Sequence, residues 1–185
     1  MDGILLEFER LLNAHALERE LEEFIAAHYR LMLGARYNRI ETQLWLRFPT
    51  LDIGNRDRRL DVFLRNAVTA DWELFELKKN VDITRTVRDV PVLRSEVYSA
   101  IQQLLNYKRI LNQDHVKRQL AEEGIEYCEP EMRLVIGGTP TISQDQWRWL
   151  RSTIQGSVKL ITYDDIRREM EERCSLVQDI TTRRA

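Results

Sequence analysis

Residues 58–80, RRLDVFLRNAVTADWELFELKKN, decide the fold, because they contain two apolar segments separated by a short polar stretch. Apolar runs on either side of a turn predict an antiparallel β-hairpin. Asp61, Glu76 and Lys78 lie inside the two predicted strands, where an ordinary hairpin carries residues such as Val, Thr or Tyr. The presence of two acids and a lysine inside the predicted strands therefore needs an explanation.

A turn formed by residues 66–71 would place Arg65 opposite Trp72 and therefore Asp61 opposite Glu76. Directly opposed residues have Cβ atoms about 4.5–5.5 Å apart, so the two acids would repel each other. Because side chains alternate along a strand, Lys78 would share the face of Glu76. Two carboxylates that repel can be neutralised by Mg²⁺, which prefers oxygen ligands and often binds substrate phosphate as well. An adjacent lysine can position or deprotonate a water, or stabilise charge on a phosphate.

A second interpretation treats these charges as ordinary surface groups. Glu76 could pair with Lys78 or Lys79 on a solvent-facing strand, because a glutamate two residues before a lysine is common in sheets. The protein would then be a structural or assembly protein, and Lys78 would have no catalytic role.

The composition limits the other possibilities. The chain has 185 residues and a formal net charge of −2, which favour one domain and no global attraction to nucleic acid. Cys128 and Cys174 have no metal-ligand spacing, so reduced thiols are expected. The first residues lack the pattern of a signal peptide, and no long apolar run predicts a membrane span, so a cytoplasmic protein is expected.

The remaining pattern predicts an α/β domain over residues 1–185, with a helical segment at residues 1–35 and a core at residues 39–170. The expected elements are a helix over about residues 4–33 that breaks near Asn13, a strand over 39–48, a turn that includes Pro49, the hairpin, a helix over about 94–123 capped by Ser95, a buried strand MRLVIGG, a helix capped by Ser143, a strand SVKLITY and a final helix DDIRREMEERC.

Residues 80–95, NVDITRTVRDVPVLRS, form a long polar connection after the candidate site. Connections of this length are often functional, so a DNA-contacting flap is one prediction. Residues 78–118 contain nine Lys or Arg against four Asp or Glu. Lys79, Arg85, Arg88 and Arg94 are therefore candidate phosphate contacts, although a solvated face with ordinary ion pairs gives the same pattern.

The spacing of Asp61, Glu76 and Lys78 resembles the PD-(D/E)xK nuclease signature. The chain also resembles the nuclease domain of the Shedu family of antiphage proteins over about residues 15–168. The segments that carry this resemblance are ELKK, SEVYSAIQQLLNYKRIL, RLVIGG and LITYDDI, together with an earlier E-x-x-L-x-x-F-I-x-x-H. Two departures are Leu60 in the place of the signature proline and Lys79–Asn80 where the family often has a basic residue and proline.

The resemblance implies a restriction-endonuclease-like core of the PD-(D/E)xK type, a mixed β-sheet flanked by helices, and metal-dependent DNA endonuclease activity in prokaryotic antiphage defence. Mg²⁺ or Mn²⁺ would be the cofactor, DNA the substrate, and a homo-oligomer, a tetramer in the family, the assembly. The residues implied are Asp61, Glu76, Lys78 and Gln103 in catalysis, with Asp61, Glu76 and Glu18 on the metal; Glu22 is a rival to Glu18, and Gln102 a lesser rival to Gln103. The alternative is a non-catalytic nucleic-acid-binding or scaffold protein of the same fold.

Overall fold

The computed structural model describes residues 2–46, 58–156 and 158–182. A five-stranded mixed sheet in the order β1-β2-β3-β6-β7 forms its centre, and a separate two-stranded ribbon pairs β4 with β5. The elements are α1 (Asp2–Asn13), α2 (Glu18–Met32), β1 (Tyr37–Leu46), β2 (Arg58–Asn66), β3 (Trp72–Leu77), β4 (Thr84–Val87), β5 (Val90–Leu93), α3 (Ser95–Leu111), α4 (Asp114–Glu122), β6 (Glu131–Val135), α5 (Gln144–Ser152), β7 (Lys159–Ile161) and α6 (Tyr163–Thr182).

Helices cover both faces of the sheet, so the central strands are buried on both sides. Every residue of β3 is buried, and β6 is buried from Met132 to Val135. On one face, here called the α3 face, Phe63, Leu74 and Leu134 pack with residues of α3, α4 and α5. On the other, the α6 face, residues of β2, β3 and β6 pack with α1, α2 and α6. Burial on both faces explains why the two central strands are mainly apolar, with Glu73, Glu76 and Arg133 as the buried exceptions.

The hairpin has the register that the sequence predicts. Strand β2 ends at Asn66 and β3 begins at Trp72, and Arg65 pairs with Trp72. The ladder continues through Phe63–Leu74 to Val62–Phe75. The next positions along both strands are Asp61 and Glu76, so alternation directs both acids to the α3 face.

The predicted helix over residues 94–123 is wrong as a single element, because α3 and α4 are separate helices. Asn112 ends α3, and its Nδ2 donates a hydrogen bond to the Lys108 carbonyl at 3.1 Å. Gln113 then has an extended backbone and precedes α4. Asparagine side chains that bond to nearby backbone compete with helix continuation, which explains the break. The predicted cap is also wrong: Arg94 is the N-cap residue, without a side-chain cap bond, and Ser95 is the first helical residue.

The long connection between β3 and α3 contains the β4–β5 ribbon, which the sequence did not predict. Arg88 and Asp89 form its two-residue turn, with φ values of 49° and 62°. Such turns require positive φ at both central residues and usually contain Asn-Gly or Gly-Gly. The Arg-Asp pair lacks that signature, which explains why the ribbon could not be recognised.

Several other predictions are confirmed. The first helical region is interrupted after Asn13, the Ser143 hydroxyl caps α5 by accepting from the Gln146 amide at 3.2 Å, and both cysteines are free. Beyond these predictions, the structure shows that Trp147 is buried whereas Trp149 is exposed. The predicted turn at Pro49 and the end of the predicted first strand lie outside the described residues. None of the helices in the described part of the chain has the length and apolar character needed to cross a membrane.

Gly137, directly after β6, connects three parts of the structure. Its amide donates to the Lys79 carbonyl at 3.2 Å, and its carbonyl accepts from the Tyr163 amide at 2.9 Å. Its φ is +61°, and a Cβ atom there would lie 2.2 Å from the Val81 carbonyl oxygen and 2.4 Å from Ile83 Cγ2. Only glycine fits this close approach without moving the segment that follows β3.

Gly137→Ala should therefore destabilise the protein by about 2–4 kcal/mol, because it combines an unfavourable left-handed backbone with overpacking. Gly156→Ala is the matched control, since no atom of the described residues, apart from its chain neighbours, lies within 4 Å of a Cβ at that position. Urea unfolding of both variants measures the difference. Equal stability of the two variants would contradict this account of Gly137.

Candidate functional site

Asp61, Glu76 and Lys78 come together on the α3 face, at the carboxyl end of β3. Glu76 is completely buried, and its Oε1 accepts a hydrogen bond from Lys78 Nζ at 2.5 Å. Asp61 Oδ2 accepts from the Leu77 amide at 3.0 Å, so its carboxylate lies across the end of the β2–β3 ladder. The structure thus joins the acid, acid and lysine that the hairpin pattern singled out.

The buried position makes ionisation of both acids unfavourable. Burial, followed by repulsion from Asp61, raises the pKa of Glu76 to about 7 despite the nearby Lys78. Burial also raises the pKa of Asp61, although the Leu77 amide, Lys78 and Arg59 oppose the shift. A cation bound between the two acids would lower the free-energy cost of ionising them, because an opposite charge nearby favours the ionised form.

Lys78 remains a cation in this environment. Burial disfavours its charged form, but the carboxylates of Glu76 and Asp61 outweigh burial and raise its pKa above the ordinary value. A lysine with a raised pKa is protonated at neutral pH and donates hydrogen bonds. Its chemistry at this site is therefore that of a fixed ammonium group.

The backbone at Lys78 is held from two sides. Its amide donates to the Val135 carbonyl of β6 at 2.9 Å, and its carbonyl accepts from the Tyr163 hydroxyl of α6 at 2.5 Å. Tyr163 is fully buried. The position of the ammonium therefore depends on the packing of β3 against β6 and α6.

Both candidate glutamates of α2 lie near the site, in different environments. Glu18 lines the cavity beside Lys78 and repels both Asp61 and Glu76. Glu22 is buried, and its Oε2 lies 3.4 Å from an Arg59 guanidinium nitrogen, which is in turn 3.9 Å from Asp61 Oδ1. Burial and then Asp61 raise the pKa of Glu22. Glu18 thus faces the open side of the site, and Glu22 supports it from within.

Gln103 reaches the same cavity from α3. Its Nε2 donates to the Tyr107 hydroxyl at 2.8 Å, and Tyr107 donates to the Arg59 carbonyl at 3.1 Å. Gln102, the rival, is exposed and does not line this cavity. The amide of Gln103 is therefore oriented by a partner that is itself tied to β2.

The cavity beside the site has a volume of about 480 Å³. Lys79 is exposed at its edge, next to Ser95 and Ser99 of α3. The other predicted phosphate contacts lie on or next to the β4–β5 ribbon. Arg85 and Arg88 are exposed, whereas Arg94 is half-buried and its Nε donates to the Thr84 carbonyl at 3.0 Å.

The donor chemistry fits a hard divalent cation, although protein ligands alone would not complete its coordination. Within residues 2–46, 58–156 and 158–182, no group of three or more His, Cys, Asp or Glu is placed to hold a metal by itself. Glu76 Oε2, however, is buried and has no hydrogen-bond partner in the described part of the chain. Mg²⁺ commonly uses one or two carboxylates and takes its other ligands from water and substrate phosphate.

Two supporting residues were missed by the sequence analysis. Arg59 lies beside Glu22 and Asp61, and the Tyr163 hydroxyl binds the Lys78 carbonyl. Arg59 stands two residues before Asp61 in a strand, so alternation could have placed both on one face. Tyr163 had no comparable signal, because its contact depends on how α6 packs.

The raised pKa of Glu76 predicts a specific pH dependence in EDTA. The contribution of this group to stability is complete below about pH 4.5 and is lost as pH rises to about 7, because the folded state binds the proton more tightly. The loss should be on the order of 3 kcal/mol. Glu76→Gln, which has no ionisable group there, should flatten the dependence in urea unfolding.

Glu126→Gln, at an exposed position, is the matched control and should keep the wild-type pH dependence. Parallel curves for wild type and Glu76→Gln would refute a raised pKa at Glu76.

A comparison with curated proteins finds no match. Residues 15–166, however, match the family described as Shedu protein SduA, C-terminal. The match begins just before α2 and ends in the first turn of α6, so it contains every residue of the candidate site. The chain therefore belongs to the Shedu SduA C-terminal family.

Proposed function

We propose that the protein is a metal-dependent DNA endonuclease of the PD-(D/E)xK type, which hydrolyses phosphodiester bonds during antiphage defence. Membership of the Shedu family suggests the defence role. The observation that carries the catalytic proposal is the buried Glu76 carboxylate, which contacts Lys78 and is repelled by Asp61. Lys78 in turn lines the neighbouring cavity. Lys78 alone faces two buried carboxylates that repel each other, so a further cation would lower the cost of this arrangement.

Asp61 and Glu76 are the proposed ligands for Mg²⁺ or Mn²⁺. Glu18 of α2, which the structure does not group with them as a three-carboxylate site, is proposed to approach as a third ligand when the metal binds. When bound, the metal would act as a Lewis acid and lower the pKa of a coordinated water. Glu22 and Arg59 would support this set, because Arg59 lies between the Glu22 and Asp61 carboxylates.

Lys78 would act as a cation rather than a base, because its ammonium lies against the Glu76 carboxylate and has further protons to donate. Its Nζ would donate to a phosphate oxygen and stabilise the negative charge that develops during hydrolysis. Gln103 would orient the attacking water through its amide, with Tyr107 fixing that amide in place. Precise orientation is worth more than acid–base strength in such a site.

Phosphate contacts outside the centre would come from Lys79 at the cavity edge and from Arg85 and Arg88 on the ribbon. These contacts would provide affinity that depends on salt and not on sequence. Arg94 would act mainly by holding the ribbon through the Thr84 carbonyl. A homo-oligomer is part of the proposal, and Trp149, which is 56% exposed, is a candidate contact.

One observation favours the alternative of a non-catalytic nucleic-acid-binding or scaffold protein. Lys78 and Glu76 already neutralise each other at 2.5 Å, and such a pair could be retained for structure alone. A nuclease should lose DNA cleavage when the Lys78 ammonium is removed, whereas a non-catalytic binding or scaffold protein has no cleavage to lose.

Cleavage of linear, circular and single-stranded DNA should require Mg²⁺ or Mn²⁺ and stop in EDTA. Lys78→Met should lower the cleavage rate by about 100-fold or more, because it removes a cation aimed at the developing charge. Lys117→Met is the matched control, since Lys117 lies on α4 against the Tyr127 ring, outside the site. The control should cleave at the wild-type rate.

The contrary result is DNA binding by the wild type without cleavage under any metal condition, combined with no effect of Mg²⁺ on unfolding. That combination would favour the scaffold alternative. Cleavage that Lys78→Met leaves unchanged would move the active site elsewhere.

A further inference from the structure

A second buried charged centre lies on the α6 face of the sheet. Glu73, also in β3, is buried, and its Oε2 accepts a hydrogen bond from the Tyr37 hydroxyl at 2.5 Å. Arg36 lies 3.4 Å from the same oxygen, and Arg133 of β6 forms an ion pair with it. Because Glu73 and Glu76 differ by an odd number of positions, they point to opposite faces.

Two cations stand side by side next to this centre. Strand β6 pairs in parallel with β7, and Arg133 is in register with Lys159. The Arg133 charge is balanced by Glu73 and by Glu131, whose Oε2 lies 2.8 Å from its guanidinium. Lys159 is exposed, and no hydrogen bond or ion pair joins it to another of the described residues. Like charges opposite each other on neighbouring strands repel, so Arg133 gives Lys159 no compensation.

A cavity of about 620 Å³ opens over Lys159, between the sheet and the helices α2 and α6. Three of its lining side chains are acidic, Asp165, Glu169 and Glu172. Six are basic: Arg36, Arg133, Arg151, Lys159, Arg168 and Arg173. The lining alone thus carries a net charge of +3, being +6 and −3.

The acids of the wall are largely occupied by their neighbours. Asp165 lies 3.3 Å from Arg151 and 2.6 Å from Arg168, and Glu169 pairs with Arg173. These pairs leave Lys159 without a hydrogen-bonded carboxylate, although the charge of Glu169 still attracts it. Partial burial, and then the positive charges of Arg133 and Arg36, outweigh this attraction and lower the pKa of Lys159.

We propose that this cavity binds a phosphate group, with Lys159 at its centre and Arg36, Arg151 and Arg168 around it. Phosphate suits the site because its several oxygens can accept from an ammonium and from guanidinium forks at the same time. The cavity is also of a size that holds a nucleotide or a segment of nucleic-acid backbone. It lies on the opposite face of the sheet from Asp61, Glu76 and Lys78, so it would be a second anion site and not part of the cleavage centre.

The same chemistry can come from a free phosphate compound or from a nucleic-acid backbone. Calorimetry with the full chain in EDTA can separate them, with inorganic phosphate, ATP and a short DNA duplex as probes at matched ionic strength. Lys159→Glu should weaken binding of the true ligand by about tenfold or more, and Lys159→Gln by less, because the first reverses the charge and the second removes it.

Lys117→Glu is the control, because it makes the same charge change on α4, away from the cavity. Phosphate or ATP binding that Lys159→Glu weakens and Lys117→Glu does not would support a free phosphate compound. The same pattern for the duplex alone would support the backbone. Failure of all three probes, or equal weakening by both variants, would overturn the proposal.

Repeating the titrations in a Lys78→Met background separates this site from the proposed nuclease centre. Loss of cleavage in that background should leave the binding at Lys159 unchanged. The two proposals can therefore fail independently: absence of cleavage would not argue against phosphate binding at Lys159, and absence of phosphate binding would not argue against cleavage.

Discussion

Strand β3 is buried along its whole length and yet contains two glutamates, Glu73 and Glu76, on opposite faces. A buried carboxylate must be protonated, paired or bound to a cation, so each face of the sheet has to supply a partner. On the α6 face, Glu73 forms an ion pair with Arg133 of the neighbouring strand and accepts a hydrogen bond from the Tyr37 hydroxyl. On the α3 face, Glu76 has Lys78, but it also adjoins a second acid, Asp61. The ligands that we propose for the two faces are therefore of opposite charge, an anion near Lys159 and a cation near Glu76.

The end of β3 is fixed by contacts from the neighbouring strand β6 and from α6. The Val135 carbonyl of β6 accepts a hydrogen bond from the Lys78 amide, and the Tyr163 hydroxyl of α6 donates one to the Lys78 carbonyl. Gly137 bonds through its amide to the segment after β3 and through its carbonyl to the start of α6. These contacts involve backbone groups, so they hold the position of Lys78 independently of its side-chain chemistry. Preorganisation of this kind is what electrostatic stabilisation of a transition state requires.

The sequence predicted the hairpin and its charged centre because both depend on local alternation. A six-residue turn and a period of two were sufficient to bring Asp61, Glu76 and Lys78 together. Glu73 carried the same signal as Glu76, a charge in an apolar strand, but its partner Arg133 comes from a parallel pairing with β6. Parallel pairing joins distant segments and leaves no local pattern. The β4–β5 ribbon and the break at Asn112 were missed because their turns depend on backbone conformations that these residue types rarely adopt or only weakly favour.

The most direct test of the charged centre is thermal unfolding of the wild type and Asp61→Asn with increasing Mg²⁺, at a pH above the value of about 7 at which Glu76 ionises. The account predicts that Mg²⁺ stabilises the wild type in a saturable way, by about 2.7 kcal/mol at a concentration 100 times its Kd, and that Asp61→Asn loses most of this gain. A wild-type melting temperature that does not respond to Mg²⁺, or an equal response in both proteins, would contradict a cation site between Asp61 and Glu76.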